Sequence, residues 1–456
     1  MFDLSIHNSK EIGIANIESI KNILDSTLRA IDPENMVKNT IRLQKDSLFI
    51  KEYSYNISTF RRIYLISIGK ASQSMAISVM QLLGNLIDSG IIITKAEDKL
   101  QTEKLLTKIK TIQSSHPIPD EKSIFAAEEI IRFSKRLTAK DLVICLISGG
   151  GSALVTKPAE GISLNAIQNL TSQLLQCGAT INEINTIRKH LDVIKGGGLL
   201  SFLYPAQVVS LILSDVMGDD LSMIASGPTA TDPTNYQDAM DILIKYSITK
   251  SIDKSILDHL TSGINGTIPE TLKENDPRLT RVKNIIIGNN LTALLVAKQM
   301  AEKNGYCSEI INVPFNGTTY EVGNRIAELV KAKKRKPIEI NRPLCIISGG
   351  ESTVSIKGRG VGGRNQEVAL YSAVQIAGIE NVCVATLATD GEDGPTDAAG
   401  AIITGKTVKS AKRLGMDATS YLNNNDSYNF FVRVGGLIKT GPTRTNLNDL
   451  NFIFIS

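Results

Sequence analysis

The sequence of 456 residues has no Cys-x-x-Cys pair, no His/Cys cluster with zinc-ligand spacing, and no apolar run approaching the roughly 18 residues of a membrane span. Its five cysteines, Cys145, Cys177, Cys307, Cys345 and Cys383, are odd in number, and three lie inside apolar runs such as that of residues 142–147. They read as buried, reduced thiols of a cytosolic protein rather than as a disulfide framework. The four histidines are scattered, so a structural zinc is not expected. The N-terminus lacks a basic stretch followed by an apolar core, which predicts a cytoplasmic protein. Proline is sparse, 14 residues against 35 Gly, and 42% of the residues are hydrophobic, which excludes disorder and collagen-like repeats. Fifty Lys and Arg against 46 Asp and Glu leave a net charge of +4, too weak over this length to argue for a nucleic-acid or membrane partner. Any anionic ligand must therefore be met by local charge.

Short β-branched runs recur at 63–68, 91–94, 142–147, 208–213, 285–287, 344–347 and 382–387. Each is apolar on both faces, as in strands of a parallel sheet covered by helices on both sides. Amphipathic stretches such as 124–137 and 318–332 lie between them, predicting an α/β protein of two domains with mainly parallel sheets, the first Rossmann-like. Residues 145–154 (CLISGGGSAL) and 345–354 (CIISGGESTV) align without a gap, which suggests two similar strand-to-loop units. The loop 226–234, with two prolines among small residues, predicts the domain boundary, giving 1–235 and 236–456. The N-terminal helices fall in the first span, with packing on the second domain as the alternative. The basic run 331–336 reads as a solvated helix C-terminus whose cations complement the dipole.

Chemistry concentrates where these strands end. Ser148, Gly149, Gly150, Gly151 and Ser152 follow a buried strand, and glycines there let backbone N–H groups approach a phosphate or carboxylate. Ser348, Gly349 and Gly350 form a weaker twin, with Glu351 beside them as a candidate carboxylate for magnesium. Lys70 sits in a Gly-Lys-Ala-Ser turn between a strand and a helix, where a cation suits an anion. Residues 358–363 formally contain G-x-G-x-x-G, but no good strand precedes them and Glu380 falls in a loop, so they read as a glycine loop delivering Arg364 and Asn365 to a helix start. A planar, always-charged arginine suits a carboxylate or a transferring phosphoryl group. Asp215 and Asp390 follow apolar runs and could hold a divalent cation or accept a hydroxyl proton, whereas Asp219, Asp220, Glu392 and Asp393 read as turn residues. Lys195 opens a Lys-Gly-Gly-Gly helix stop with an anion nest as the minor alternative, and His116, between Ser and Pro, reads equally as structural or functional.

Glycine cradles, cations at helix starts and carboxylates at strand ends are the parts of phosphoryl transfer, yet G-x-x-x-x-G-K-[ST], H-R-D and D-F-G are all missing. The set formed by I-G-K-A-S at 68–72, S-G-G-G-S at 148–152, K-G-G at 195–197, L-S-D-V at 213–216 with S-G-P-T at 226–229, G-G-R-N-Q-E at 362–367, T-D-G at 389–391 with D-G-P-T at 393–396, and T-G-P-T at 440–443 resembles the class II glycerate kinases, the family with a C-terminal MOFRL domain. The motifs appear in order and span most of the chain; Arg444 departs from the small residue expected there. The resemblance implies transfer of the ATP γ-phosphoryl group to the 2-hydroxyl of D-glycerate, with Mg²⁺ or another divalent cation, in a cleft between two α/β domains. It also implies that Lys70 and Arg364 are catalytic; the charge pattern adds the expectation that they approach from opposite domains, with the serine–glycine loops, Lys195 and Asn365 as candidates to bind substrate or phosphate. A homodimer is the base-rate expectation. The rivals are an NAD(P)H-dependent hydroxypyruvate reductase, motivated by the formal dinucleotide pattern, and a metabolite-binding protein without catalysis.

Overall fold

A computed structural model describes residues 3–7, 16–95, 107–335 and 342–456. The β-branched runs form strands: Arg62–Ile68, Ile87–Lys95, Ile109–Ser114, Asp141–Ile147, Gln207–Leu213 and Val282–Gly288 make one six-stranded sheet. Numbered along the chain, its order is 3-2-1-4-5-6, that of a doubly wound dinucleotide-type fold. Arg62–Ile68 pairs in parallel with both Ile87–Lys95 and Asp141–Ile147, and the latter pairs in parallel with Gln207–Leu213. Every residue of Asp141–Ile147 is buried, because helices cover both faces. The helix Glu121–Ser134 starts where Asp120 closes a capping box with Ser123, and Ala126, Ala127, Ile130 and Phe133 carry it into the core beside Tyr64, Val143 and Leu199.

The strands Leu344–Gly350, Val382–Ala388 and Asp449–Ile455 form the centre of a second, seven-stranded sheet. Here the arrangement departs from the expected parallel one. Asp449–Ile455 runs between the other two and antiparallel to both, Val382–Ala388 is antiparallel to Gly400–Thr404, and only Cys307–Ile311 pairs in parallel, with Leu344–Gly350. Apolar character on both faces reports that a strand is covered; it says nothing about the direction of its neighbour. The two aligned segments both begin as buried central strands and then diverge, the first entering the helix Gly151–Leu154 and the second continuing to the short strand Ser352–Thr353.

The chain divides into one unit of Pro33–Ile287 and another of Met1–Asp32 with Gly288–Ser456. The division falls after Ile287 rather than at 235, because the chain beyond the 226–234 loop returns to the first unit. Helices Tyr236–Lys245 and Lys254–Ile264 bury Ala239, Leu243, Ile256 and Leu260 against Ile167, Leu170 and Ile187, and Val282–Gly288 completes the first sheet at its edge. The N-terminal helix Ile17–Ala30 packs instead on Asn290–Lys303 of the other unit. The basic run ends the helix Thr319–Arg335 with Lys333, Lys334 and Arg335 in its last turn; Lys336 lies outside the described residues. No described helix is long and apolar enough to cross a membrane. Cys145, Cys345 and Cys383 are buried as expected, and burial raises their thiol pKa values, whereas Cys177 is exposed at a helix end and Cys307 is half-buried.

Candidate active site

In a sheet of order 3-2-1-4-5-6 the strand connections reverse between strands 1 and 4, and ligands bind beyond their carboxyl ends. Those strands are Arg62–Ile68 and Asp141–Ile147, so the switch point is flanked by Lys70 on one side and by Ser148 to Ser152 on the other. The two loops are tied together. Lys70 N–H donates to the Gly149 carbonyl (2.9 Å), Ser148 N–H donates to the Ile68 carbonyl (3.0 Å), and Ala71 N–H donates to Ser148 Oγ (3.1 Å). Ser152 Oγ bonds Ser226 Oγ at 2.6 Å, anchoring the far end of the glycine loop. Both serine hydroxyls thus help to hold the loop's shape. The N–H groups of Gly149, Gly150, Gly151 and Ser152 have no acceptor among the described residues.

Two glycines are required here. A methyl group on Gly149 would sit 1.9 Å from Asp215 Oδ2, so only glycine lets that carboxylate lie against the loop. Gly150 has φ +83°, a left-handed conformation that disfavours other residues, and a methyl group on it would lie 3.1 Å from Lys70 Cγ. The Lys70 side chain thus borders the loop, and its ammonium has no ion-pair partner among the described residues.

Lys195 is different. It is 4% exposed, and its ammonium donates to Asp192 Oδ2 (2.5 Å), the Val155 carbonyl (3.2 Å) and Thr156 Oγ1 (3.2 Å). All three N–H donors are consumed inside the protein, so the expected binding role gives way to a structural one. Burial pulls its pKa down, opposed by the Asp192 charge. The adjoining basic helix end is likewise internal: Lys189 pairs with Asp232 at 2.5 Å, with both side chains almost fully buried.

In the other unit, Arg364 occupies the first turn of the helix Arg364–Gln375. Its guanidinium makes a bidentate pair with Asp449, Nε to Oδ2 at 2.6 Å and Nη2 to Oδ1 at 2.8 Å, and Nη1 lies 4.0 Å from Glu351 Oε1. Burial works against the charged form, but the Asp449 carboxylate outweighs it and raises the arginine pKa further. The Glu351 carboxylate also accepts from Asn448 Nδ2 (3.3 Å), so it serves this cluster. Asn365 is buried, its N–H donating to Asp393 Oδ1 (2.9 Å), while Gln366 N–H donates to Asp393 Oδ2 (2.9 Å). Asp393, read from sequence as a turn residue, therefore caps this helix from another loop, and Asn365 is engaged by it. Asp390 Oδ1 accepts from Glu392 N–H (3.1 Å), the Asx turn that short loop aspartates favour.

Ser348, Gly349 and Gly350 do not form a second cradle. They belong to the strand Leu344–Gly350, Phe315 N–H donates to the Gly349 carbonyl (2.8 Å), and a methyl group on Gly349 would meet Asn290 Oδ1 at 2.0 Å. Their small size admits neighbouring chain rather than a ligand. The G-x-G-x-x-G loop is also filled from within: methyl groups on Gly358, Gly360 and Gly363 would strike Asn424, Asp426 and Asp393 at 2.3, 2.4 and 2.3 Å.

Burial pushes the Asp393 carboxyl up to about 6, against the lowering effect of the Asn365 and Gln366 backbone donors. A carboxyl raised on folding adds stability that is complete below its unfolded pKa of about 4 and is lost as pH rises through the folded value. The stability advantage of wild type over Asp393→Asn is therefore expected to shrink between about pH 4 and pH 7. Urea midpoints across that range check this, and an advantage that grows with pH would contradict it.

Asp393 opens the D-G-P-T motif yet reads as a turn residue, and Asp449 carries no motif of the kind that marks a strand end followed by glycine. The signal available was an aspartate opening the apolar run 449–455, whose partner lies 85 residues earlier.

Residues 19–261 match a family model described as a domain of unknown function, DUF4147, and residues 344–449 match the MOFRL family. The chain is 40% identical over 428 residues to a D-glycerate 2-kinase of Thermotoga maritima, covering 92% of this chain and 98% of the relative. It is 39% identical over 431 residues to a glycerate 2-kinase of Pyrococcus horikoshii, covering 94% of each. A relative from Agrobacterium vitis, 36% identical over 438 residues and covering 96% of this chain and 94% of that protein, carries a hydroxypyruvate reductase name. The crystal structure of a glycerate kinase from Thermotoga maritima superimposes with a TM-score of 0.84 at 38% identity, covering 96% of this chain and 99% of that one. By its two matched domains and by identity along nearly its whole length, this chain belongs to the glycerate kinase family with a C-terminal MOFRL domain.

Proposed function

We propose that the protein transfers the γ-phosphoryl group of ATP to the 2-hydroxyl of D-glycerate, producing 2-phosphoglycerate. The observation that carries this reading is the switch point of the first sheet, where a lysine without an ion-pair partner and a glycine loop with open N–H groups flank the position at which such folds bind ligands. The names of the relatives from Thermotoga maritima and Pyrococcus horikoshii supply the acceptor. Little covalent chemistry is demanded of the protein in phosphoryl transfer; charge neutralisation and positioning do most of the work. The loop N–H groups would hold phosphate oxygens, and Lys70 would offset the charge on the transferring group. Arg364, held rigid by Asp449, would grip a carboxylate or phosphate in a planar, two-point contact.

Among the described residues no group of three or more His, Cys, Asp or Glu could hold a metal ion. That fits Mg²⁺, which is commonly held by one or two carboxylates together with substrate phosphates and water. Asp215, lying against Gly149, is the carboxylate that would hold it beside the loop, and the ion would supply charge neutralisation on the phosphates.

A coupled assay with ATP, Mg²⁺ and D-glycerate, its product split by enzymes that separate 2-phosphoglycerate from 3-phosphoglycerate, tests the proposal. 2-Phosphoglycerate is expected. 3-Phosphoglycerate would overturn the regiochemistry, and absence of ATP turnover would overturn the kinase. The reductase name of the Agrobacterium vitis relative motivates a parallel assay with NAD(P)H and hydroxypyruvate, although the G-x-G-x-x-G loop at 358–363 is filled by neighbouring chain.

A further inference from the structure

The loop after Ile109–Ser114, the third strand of the first sheet, reaches back over the switch point. Its base is pinned to the glycine loop's own helix: Ser114 Oγ donates to the Leu154 carbonyl (2.7 Å), and Thr156 N–H donates to the Ser123 carbonyl (3.3 Å). Its far end is fixed by Asp120, which accepts from Ser115 Oγ (2.6 Å) and Lys122 N–H (2.9 Å) at the start of the helix Glu121–Ser134. Between these anchors stands His116, half-buried. A methyl group on Gly150 would lie 3.1 Å from its Cδ2 and 3.2 Å from its Nε2, the same position that is 3.1 Å from Lys70 Cγ. The imidazole and the lysine therefore border one loop residue, at the carboxyl ends of three strands of one sheet.

We propose that His116 is a further catalytic side chain of the Lys70–Gly150 site, contacting the bound acceptor and taking the proton that its hydroxyl loses on phosphorylation. This deepens the phosphotransferase reading and rests on it. As the acceptor oxygen bonds to the γ-phosphorus, the bond from that phosphorus to the β,γ-bridging oxygen breaks, ADP leaves, and the hydroxyl proton passes to an imidazole nitrogen and then to solvent.

The surroundings suit that role. Burial, Lys70 and Lys95 push the His116 pKa down to about 4, so the free protein presents a neutral imidazole able to accept a proton. Asp120, on its own loop, is engaged with Ser115 and the helix start. Anionic substrates held at Lys70 would offset the ammonium charges, so the imidazole's proton affinity rises as the site fills. The group is a weak base when empty and a stronger one when loaded.

Steady-state kinetics of His116→Asn and His116→Gln with ATP, Mg²⁺ and D-glycerate test this, with melting temperatures confirming that each variant is folded. General acid–base groups contribute about 10²–10⁴-fold, so kcat is expected to fall about 100-fold or more. The acid limb of the wild-type kcat profile is expected to vanish in both variants. The His116 Cε1–H resonance, identified by its loss in His116→Asn, is expected to shift on saturation with D-glycerate. A folded variant with kcat within about threefold of wild type, an acid limb that survives in the variants, or a resonance unmoved by D-glycerate would each overturn the proposal. Wild type that fails to phosphorylate D-glycerate would instead overturn the phosphotransferase reading itself.

Discussion

Lys70→Ala is expected to lower kcat/KM for D-glycerate phosphorylation by about 10²–10³-fold, the range seen when one preorganised charge-stabilising group is removed from a site. The melting temperature is expected to stay near that of wild type. Both expectations come from the same geometry. The Lys70 ammonium enters no ion pair among the described residues, so its loss strands no carboxylate, and its backbone N–H, which ties the two loops together, survives the substitution. Lys70→Arg keeps the charge but exchanges a compact ammonium for a wider fork beside Gly150, so it is expected to recover only part of the rate. Steady-state kinetics beside calorimetry separate these outcomes. A Lys70→Ala variant with full kcat/KM would remove Lys70 from the site, and one that melts well below wild type would make it structural.

Arg364→Ala is expected to lose both activity and stability. An arginine acting on a substrate anion from an otherwise independent position would be removed at little cost to folding. Here its removal leaves Asp449, whose side chain is 5% exposed, buried without its cationic partner. Breaking a buried pair from one side costs about 3–5 kcal/mol, and the 27% exposure of the Arg364 side chain places this case at the lower end of that range, about 3 kcal/mol. The double variant Arg364→Ala/Asp449→Ala removes the stranded charge, so it is expected to regain much of the stability and none of the activity. Urea midpoints and kcat/KM of the two single variants and the double variant form the test. Equal stability of Arg364→Ala and wild type would show that the Asp449 pair does not support the fold. Activity restored in the double variant would show that Arg364 only shields Asp449.

The placement of Lys70 and of the loop from Ser148 to Ser152 at strand ends was legible in the sequence because each directly follows a short, doubly apolar run, and the end of a buried strand in a doubly wound sheet is where ligands bind. Arg364 was legible for a different reason, a basic residue delivered by a glycine loop to a helix start. Lys195 carried a similar glycine signature and misled, because whether an ammonium meets solvent or Asp192 depends on how its helix end is buried, and no local pattern records that. Ser348 to Gly350 repeated the letters of the first loop, but Asn290 and Phe315, distant in sequence, fill the space that a ligand would need.

Short β-branched runs apolar on both faces, and the glycine-rich loops that follow them, were enough to show that this chain builds buried strands, where the main ones lie, and which loops gather charge at their ends, since these follow from the local preference of β-branched and glycine residues. Tertiary structure decided the antiparallel insertion of Asp449–Ile455, the return of residues 236–287 to the first unit, the pairing of Arg364 with Asp449, and the approach of His116 to Gly150. Each of these joins segments far apart along the chain, and the energy that selects them lies in packing and charge pairing between surfaces that exist only once both segments are folded.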